Sequence, residues 1–416
     1  MSLKIIIAVF CGVLLGVYFG TGPVFGLFHL ETLGKLGYLV IKLLKTLAVP
    51  LIFFAIVDAI PRTQIGTRHF LKLIGICVIN VSIAMGIGLF IMNQFHPGEY
   101  WATHHPEILR TLTADTDVIA AETRRIGFVA TVSGLVPDSV VSPFFTGSVI
   151  AVVLLALLFG FALRYFLNNP DETFQGHELV LKVVESGFHI TMKCLAWVIQ
   201  LIPFAVFGMV AQVVGKSGLE VFRILWVFLA VMLSGLLIHS WIYYPLVNWI
   251  FGKKSPWLFF QKGAEPIVTA LSSNSSLATV PITLKSLRRM GVSEESSRLA
   301  ACIGTNFNND GIALYEAMAA LFLLQAFGVA PDIFGQLSIV TVAIFAGCGI
   351  AGIPEAGLLM LPIVLHSAGF SSGMIALAIP LIVPVDWIIA RCRSMVNVMS
   401  DMTVAILLDR FIRQPK

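Results

Sequence analysis

Charged residues are scarce in this sequence. Asp, Glu, Lys and Arg make up 12% of its 416 residues, about half the share of roughly 25% that is usual in soluble domains. The stretch from Ile224 to Gly252 contains none of them. Mean hydropathy is +0.91, and several apolar runs exceed the roughly 20 residues that cross a bilayer as a helix. These features exclude a soluble domain and predict an all-α polytopic membrane protein.

Paired cysteines and enzyme motifs are missing as well. The six cysteines lie singly in apolar stretches, without the spacing of metal ligands or of a disulfide framework. No nucleophile–base pair and no phosphate-binding loop is visible, and His239 and His366 are interpreted as core or interface residues. We therefore expect no enzyme activity and no cofactor.

Positive charge is only slightly in excess. A formal net charge of +4 gives no reason to expect nucleic acid as a partner, because basic residues at membrane edges report topology. They cluster at Arg62/Arg68/Lys72, Lys253/Lys254/Lys262, Lys285/Arg288/Arg289 and Arg410/Arg413/Lys416. By the positive-inside rule these ends are cytoplasmic, so the polar segment from His96 to Arg125 faces outward. We predict a multi-pass protein of the cell inner (plasma) membrane with a cytoplasmic C-terminus.

The last apolar helix carries one stripe of polar residues. Asp386, Arg393, Asn397 and Asp401 are spaced by 7, 4 and 4 residues and share one helix face. Each would cost about 2.5–3.5 kcal/mol in contact with lipid even on the lenient insertion scale. The stripe must therefore face a protein interior or a water-filled path.

Two apolar segments are interrupted at mid-depth. Ala264 to Arg289 contains SSNSSLATVP, and Ile333 to Phe370 contains AGCGIAGIPEAG. Apolar arms around a Ser/Gly/Pro tip indicate re-entrant hairpins, since unpaired backbone at that depth is tolerated only where it lines a cavity. Each is followed by a polar-bearing helix, which is typical of an inverted repeat. The alternative is a pair of ordinary flexible loops.

The helix after the first hairpin carries GTNFNNDGIALYEA, whose Asn and Gly residues would interrupt it. Freed carbonyls together with Asp310 suit a hard cation such as Na⁺. The alternative is a kink in which Asp310 is satisfied by its neighbours.

Four motifs, SSNSSLATVPIT, NFNNDGIALYEA, AGIPEAGLLML and DWIIARCRSMVNVMSD, are similar in order and spacing to those of the dicarboxylate/amino acid:cation symporter family, which includes the glutamate transporters. The resemblance implies a glutamate-transporter-like fold with about eight transmembrane helices, two re-entrant hairpins and inverted repeats. It also implies a homotrimer in the lipid bilayer and an elevator-type movement of a transport domain against a static scaffold.

The resemblance divides the chain into parts. The scaffold comprises residues 1–69 and 126–218, and residues 96–125 form an extracytoplasmic loop. The transport domain comprises the third span at 70–95 and residues 219–413, with hairpin 258–292, helix 294–329, hairpin 332–370 and last helix 373–412.

The resemblance also assigns roles to particular residues. Arg393 is similar to the arginine that holds the substrate's distal carboxylate, as its bidentate chemistry allows. The other substrate positions are Ser275, Ser276, Ile312, Glu355, Gly357, Ala390 and Asn397. Gly304, Asn308, Asn397 and Asp401 resemble one sodium site, Asp310 and Asn308 a second, and the backbone around Asn306, Asn309, Gly347 and Cys348 a third. Glu316 is either a proton carrier or a polar residue paired within the bundle, and Asp386 is interpreted as structural.

Four departures from the family pattern leave the substrate open. Ala390 stands where amino-acid carriers have an aspartate for the α-ammonium, and Ile312 replaces a threonine. Glu355 replaces a tip glycine, where it would pair with Arg391 or Arg393, receive an ammonium group, or remain a solvated tip residue. Cys77 and Val81 replace hydroxyl residues beside Asn80, so the number of coupled ions is uncertain.

These features predict a secondary active symporter for C4-dicarboxylates or acidic amino acids (aspartate or glutamate), coupled to Na⁺ or H⁺. The alternatives are a neutral amino acid carrier of the same fold and an anion-conducting channel. An intramembrane aspartyl protease is the enzyme alternative, because Asp310, Asp386 and Asp401 are expected to be buried. It would require two of these carboxylates at close range.

Overall fold

The computed structural model describes residues 2–24, 28–61, 67–104, 137, 139–146, 148–169, 176–329, 331–348 and 355–413. These residues are almost wholly helical, which confirms the all-α prediction. The described residues contain one two-residue strand pair, Pro23–Val24 with Phe28–His29, which is antiparallel. Among the described residues, the first α-helices are α1 (Ser2–Phe19), α2 (Leu30–Ala59), α3 (Thr67–Phe95), α4 (Pro97–His104), α5 (Ser142–Thr146), α6 (Val149–Asn168), α7 (His177–Ile199), α8 (Ile202–Ser217), α9 (Glu220–Leu237) and α10 (Tyr244–Ile250). The later α-helices of the described chain are α11 (Pro256–Ser273), α12 (Ser276–Arg289), α13 (Glu294–Arg298), α14 (Asp310–Ala326), α15 (Ile333–Gly347), α16 (Ala356–Ser367) and α17 (Ser372–Arg413).

Five helical stretches of the described chain are long and apolar enough to cross a membrane, or six if the bent pair α7–α8 is one span. They are Leu30–Ala59, His69–Thr103, Ile150–Asn168, Glu220–Ile250 and Ser372–Ile412. The described residues therefore confirm a multi-pass protein, and the expected total of about eight spans stays a prediction.

Two helices that the sequence predicts as continuous are interrupted. The segment Leu179 to Val214 bends by 44° between α7 and α8. Pro203 explains the bend, because its ring clashes with the carbonyl four residues earlier, at Ile199, where α7 ends. The segment Val221 to Phe251 contains a π-helical turn at Ile238–Tyr243, which ends two residues before Pro245. Proline again removes a helical donor, and such turns are frequent at functional sites.

Helices α1, α2 and α8 pack closely through glycines. A Cβ at Gly37 would lie 2.6 Å from the carbonyl oxygen of Ala205, and one at Gly208 would lie 2.4 Å from that of Leu33. Since both contacts meet backbone, neither side can yield. Small residues that let helix backbones approach are typical of membrane bundles, where lipid gives no hydrophobic drive for association.

Helix α14 is the centre of the C-terminal half. All seventeen of its residues are buried, and α3, α4, α15, α16 and α17 pack around it. A helix that is covered on every side belongs to the core of a large bundle. Its first turn, at Asp310, therefore begins deep inside the protein.

Helix α4 lies in the segment predicted as an extracytoplasmic loop. Trp101 is 1% exposed and stacks on Phe322 of α14, with ring centroids 5.7 Å apart and planes at 13°. The amide N–H of Gly98 donates to Gln325 Oε1 at 3.2 Å. The start of this segment is therefore packed on the core, because Trp101 stacks on an aromatic ring there. Residues 105–125 lie outside the described chain.

Two pairs of adjacent helices correspond to the predicted hairpins. In the first, α11 and α12 are joined at Asn274, which has a left-handed φ of 54°. Arg289 of α12 lies 3.1 Å from Glu265 of α11, so the chain reverses at Asn274. In the second, α15 and α16 pack against each other, and residues 349–354 between them are outside the described chain. Whether either pair is re-entrant stays a prediction.

Candidate functional site

The polar stripe of α17 is buried, as its spacing predicts. Asp386, Arg393, Asn397 and Asp401 are each 1–2% exposed. Four polar groups at such burial require partners from other elements. Those partners divide the stripe into two regions, one around Arg393 and one around Asp401.

The guanidinium of Arg393 is paired through one nitrogen and has no hydrogen-bond partner at another. Its Nη2 lies 3.5 Å from Asp386 Oδ2, and its guanidinium carbon lies 4.0 Å from the ring centroid of Tyr315. Nη1 has no hydrogen-bond partner in the described chain. An ion pair and a cation–π contact thus orient the guanidinium, while Nη1 remains for another acceptor.

The tips of the two helix pairs meet above this arginine. Asn274 Nδ2 donates to Glu355 Oε1 at 2.9 Å, and Ser394 Oγ donates to Asn274 Oδ1 at 3.1 Å. Asn274 and Glu355 both have left-handed backbone, with φ of 54° and 61°. The chain Ser394–Asn274–Glu355 therefore links α17 to both tips.

A small cavity lies beneath the tips. Its volume of about 10 Å³ is room for about one water molecule, so a dicarboxylate enters only if the tips or side chains move. Six predicted substrate positions line it, together with Asn274, Ala356 and Ser394: Ile312, Glu355, Gly357, Ala390, Arg393 and Asn397. Asn274 and Ser394 were not predicted as substrate positions, and their only sequence signals are the SSNSS run and the position one turn after Ala390.

Ser275 and Ser276 are beside the first tip rather than on the cavity wall. Ser275 Oγ accepts from the amide N–H of Ala278 at 3.2 Å and caps α12. Ser276 Oγ is buried and has no hydrogen-bond partner in the described chain. Their role in substrate binding stays a prediction.

Glu355 is not a solvated tip residue, so that alternative is wrong. The side chain is 4% exposed, because it turns inward to the amide of Asn274. Among the described residues, the expected ion pair of Glu355 with Arg391 or Arg393 is also absent. Arg391 Nη1 instead donates to the carbonyl of Trp387, and its guanidinium lies over the Trp387 ring.

The second polar region surrounds Asp401 and Asp310. Asn308 Nδ2 donates to Asp401 Oδ1 at 3.2 Å, and Ser400 Oγ lies 3.0 Å from Asn308 Oδ1 and 2.7 Å from Asp310 Oδ2. These residues come from the interruption before α14 and from α17. The interruption itself, predicted from GTNFNND, is confirmed by a π turn at Leu299–Ile303, a 3₁₀ turn at Gly304–Asn306 and the start of α14 at Asp310.

Asp310 also contacts the π-helical turn region. Tyr244 Oη donates to Asp310 Oδ2 at 2.9 Å, and His239 Nε2 lies 3.3 Å from the same oxygen. Oδ1 has no hydrogen-bond partner in the described residues. His239 is fully buried, as predicted for a core residue, but its contact with a candidate ion ligand was missed. Pro245, which marks an irregular helix nearby, was the only signal.

The third predicted region joins the interruption to α15 and α17. Asn309 Nδ2 donates to the carbonyl of Gly347 at 2.8 Å, and Asn397 Nδ2 donates to Asn309 Oδ1 at 3.1 Å. Asn397 Oδ1 accepts from the amide N–H of Gly311 at 2.9 Å. Gly304 is buried and Asn306 is half-buried at the 3₁₀ turn, and Cys348 ends α15.

These oxygen-rich surroundings have a definite chemical preference. The described residues contain no group of three or more His, Cys, Asp or Glu side chains suited to a metal ion such as zinc. Amide and carbonyl oxygens with one or two carboxylates match hard cations instead. Which of these oxygens would coordinate an ion stays a prediction.

Comparison with known proteins identifies the chain. The sequence profile of the sodium:dicarboxylate symporter family matches residues 1–411. The chain belongs to this family. Excitatory amino acid transporter 3 of Mus musculus is 37% identical over 213 residues, which are 51% of this chain and 40% of that protein. The C4-dicarboxylate transport protein of Edwardsiella ictaluri (strain 93-146) is 26% identical over 421 residues, spanning 100% of this chain and 93% of that protein.

Membership of the symporter family removes the enzyme alternative. The family and both relatives are transporters, so the chain is a membrane transporter and not a protease. The geometry agrees, because no hydrogen bond joins two carboxylates among Asp310, Asp386 and Asp401 in the described chain. Asp386 pairs with Arg393, and Asn308 and Ser400 contact the other two.

Glu316 is the remaining predicted site position. It is fully buried on α14, and neither carboxylate oxygen has a hydrogen-bond partner among the described residues. Arg393 and Asp386 act on it electrostatically. The expectation of a residue paired within the bundle is therefore wrong, because its neighbours Arg393 and Asp386 pair with each other.

Proposed function

We propose that the chain is a secondary active symporter that takes up a small carboxylate together with Na⁺ or H⁺. The substrate class is a C4-dicarboxylate or an acidic amino acid. We further propose that it works as a homotrimer by an elevator-type mechanism in the cell inner membrane, with a cytoplasmic C-terminus.

The observation that carries the proposal is the Nη1 group of Arg393, which has no hydrogen-bond partner in the described chain. A guanidinium that is 2% exposed, and whose Nη1 has no partner, lacks a hydrogen bond that burial makes costly. It lines the small cavity beside Asn274 and Glu355. A carboxylate is the group that best complements such a guanidinium, because it accepts two parallel N–H bonds.

The Asp401 region supports cation coupling. Asp401 is 2% exposed, and its described partner is a neutral amide. A buried carboxylate without a cation is unfavourable, and a bound Na⁺ would compensate its charge. Because Asn397 contacts both Gly311 and Asn309 and also lines the substrate cavity, the two regions share a residue through which one ligand would affect the other.

The packing supports movement of one unit against another. A cavity of about 540 Å³ lies where α2 of the predicted scaffold faces α16 of the predicted transport domain. It is lined on one side by Tyr38, Lys42 and Lys45 and on the other by Pro362 and His366. The close glycine contacts described above lie within the scaffold, so the looser contact lies at the boundary where an elevator would slide.

The test is a thermal-stability panel on purified protein. Succinate, malate, aspartate, glutamate and serine are each added with and without Na⁺. A ligand that binds only the folded protein raises the midpoint of thermal unfolding, and we expect a carboxylate to do so only with the coupling ion.

Asp401→Asn should remove the Na⁺ dependence of this stabilisation. Asp332→Asn should keep it, since Asp332 is an exposed helix cap and asparagine caps a helix as well as aspartate does. Stabilisation by no ligand under either salt condition would contradict the proposal.

A further inference from the structure

Two opposite charges line the closed cavity. Of its nine lining residues only Arg393 and Glu355 carry charge, and the others are small, apolar or neutral polar side chains. Arg393 Nη1 is buried and without a hydrogen-bond partner in the described chain, so the cavity contains a donor that a bound ligand would satisfy. We infer that Glu355 receives the ammonium group of the substrate, so that the site selects α-amino acids over dicarboxylates. This inference rests on the proposed function.

The backbone at Glu355 points to a role for its side chain. A non-glycine residue at φ 61° is strained relative to right-handed backbone, whereas glycine would adopt this conformation freely. Glu355 stands at the N-cap of α16 but its side chain makes no cap hydrogen bond. Its carboxylate is directed to Asn274 instead. Strained residues of this kind cluster at ligand sites.

The hydrogen-bonded chain fixes where the carboxylate lies. Ser394 is on the turn of α17 that follows Ala390, and Asn274 connects its hydroxyl to Glu355. Ala390 itself lines the cavity and brings no charge to it. The tip therefore supplies the acid that the α17 face lacks.

Charge balance favours a substrate that carries an ammonium group. Arg393 already has Asp386 as a partner at 3.5 Å, so a dianion in the cavity would add two negative charges beside Glu355. Buried like charges without compensation are costly. An amino acid brings its own cation to Glu355, while its carboxylate meets Arg393 Nη1 or the first amide groups of α16 at Ala356 and Gly357.

Succinate is aspartate without its ammonium group, and this makes the pair a direct probe. The wild-type protein should bind aspartate at least about tenfold more tightly than succinate in Na⁺, as expected for a buried charge pair. Glu355→Gln should weaken the binding of aspartate and of serine by about tenfold or more, and succinate should bind as before or more tightly. The double variant Glu355→Gln/Ala390→Asp should regain aspartate binding, because residue 390 faces the same cavity. Glu294→Gln, an exposed carboxylate paired with Arg298, is the matched control.

The outcomes separate the two proposals. Binding of succinate but not aspartate by the wild type, or an equal loss of both in Glu355→Gln, would overturn the role of Glu355 and leave the symporter standing. If the wild type binds neither aspartate nor succinate, whether the coupling cation is Na⁺ or H⁺, the proposed symporter function itself is overturned. If Glu355→Gln does not fold, as judged by loss of its cooperative thermal transition, the wild-type aspartate-to-succinate ratio still decides the inference.

Discussion

At Gly357 the second tip comes closest to the candidate carboxylate-binding arginine. A Cβ built there would lie 1.5 Å from Arg393 Nη1 and 2.4 Å from Cζ. Only a residue without a side chain lets the helix start pass over the guanidinium. The position of Arg393 is therefore set by a glycine on another element as well as by Asp386 and Tyr315.

Gly357→Ala should displace the guanidinium and leave the fold intact. We expect carboxylate affinity to fall by about tenfold or more, because a displaced fork loses one of its parallel hydrogen bonds. Isothermal titration in Na⁺ measures it. Gly86→Ala is the control, since a Cβ there meets nothing within 4 Å, and alanine in a helix is about 0.5–1 kcal/mol more favourable than glycine. Equal affinity in both variants would show that Gly357 does not position Arg393.

The roles of single residues were partly predictable from sequence. The sequence predicts the burial of Arg393, Asn397 and Asp401, because a charge or amide on an apolar helix must face inward. Asn274 and His239 could not be found this way. A tip asparagine is as compatible with a loop as with a site, and the contact of His239 with Asp310 depends on the phase of a π-helical turn. Helical periodicity does not encode that phase.

Among the elements, helix α4 shows how polar composition can mislead. The surrounding HPGEYWATHH predicts an exposed loop, yet Trp101 is stacked on Phe322 and Phe322 also contacts Phe228, with centroids 4.3 Å apart. Gly98 lies so close to α14 that a Cβ there would be 2.2 Å from the carbonyl of Phe322. Helix α4 therefore fixes the C-terminal end of α14.

Trp101→Ala should destabilise the protein without changing which substrate it selects. Truncation of a fully buried tryptophan costs about 3–5 kcal/mol, so the thermal midpoint should drop clearly. Trp226→Ala, at a side chain 67% exposed in the chain, should shift the midpoint far less. Both midpoints come from differential scanning fluorimetry. A Trp101→Ala midpoint equal to that of Trp226→Ala would refute the docking of α4 on α14.

Helix boundaries were predictable where one strong signal acted and not where two competed. The interruption before Asp310 follows directly from its Asn and Gly residues. The irregularities near Pro203 and Pro245 lie within apolar runs that are each long enough to cross the membrane as one helix. We predicted continuous helices from the length of these runs, despite the prolines. Proline near a helix start is compatible with either outcome, so tertiary packing decides.

For the whole molecule, composition alone established the class. A 12% charged chain with five long apolar helices in its described part is a multi-pass membrane protein, and the four motifs led to the family that the profile match confirms. The substrate and the coupled ion could not be predicted in this way, because Ala390 and Glu355 are single residues within these motifs. Their effect depends on which groups meet in a cavity of about 10 Å³, which only the folded chain defines.

Arg393 is proposed to bind the carboxylate of a substrate whose uptake is coupled to a cation gradient. The decisive experiment is uptake of radiolabelled aspartate and succinate into proteoliposomes under an imposed Na⁺ or H⁺ gradient. We expect at least one substrate to accumulate above its external concentration, and this accumulation to collapse when the gradient is dissipated. It should be lost in Arg393→Ala and retained in the exposed control Arg288→Ala. Uptake that only equilibrates whatever the gradient, or that is undiminished in Arg393→Ala, would contradict this proposal.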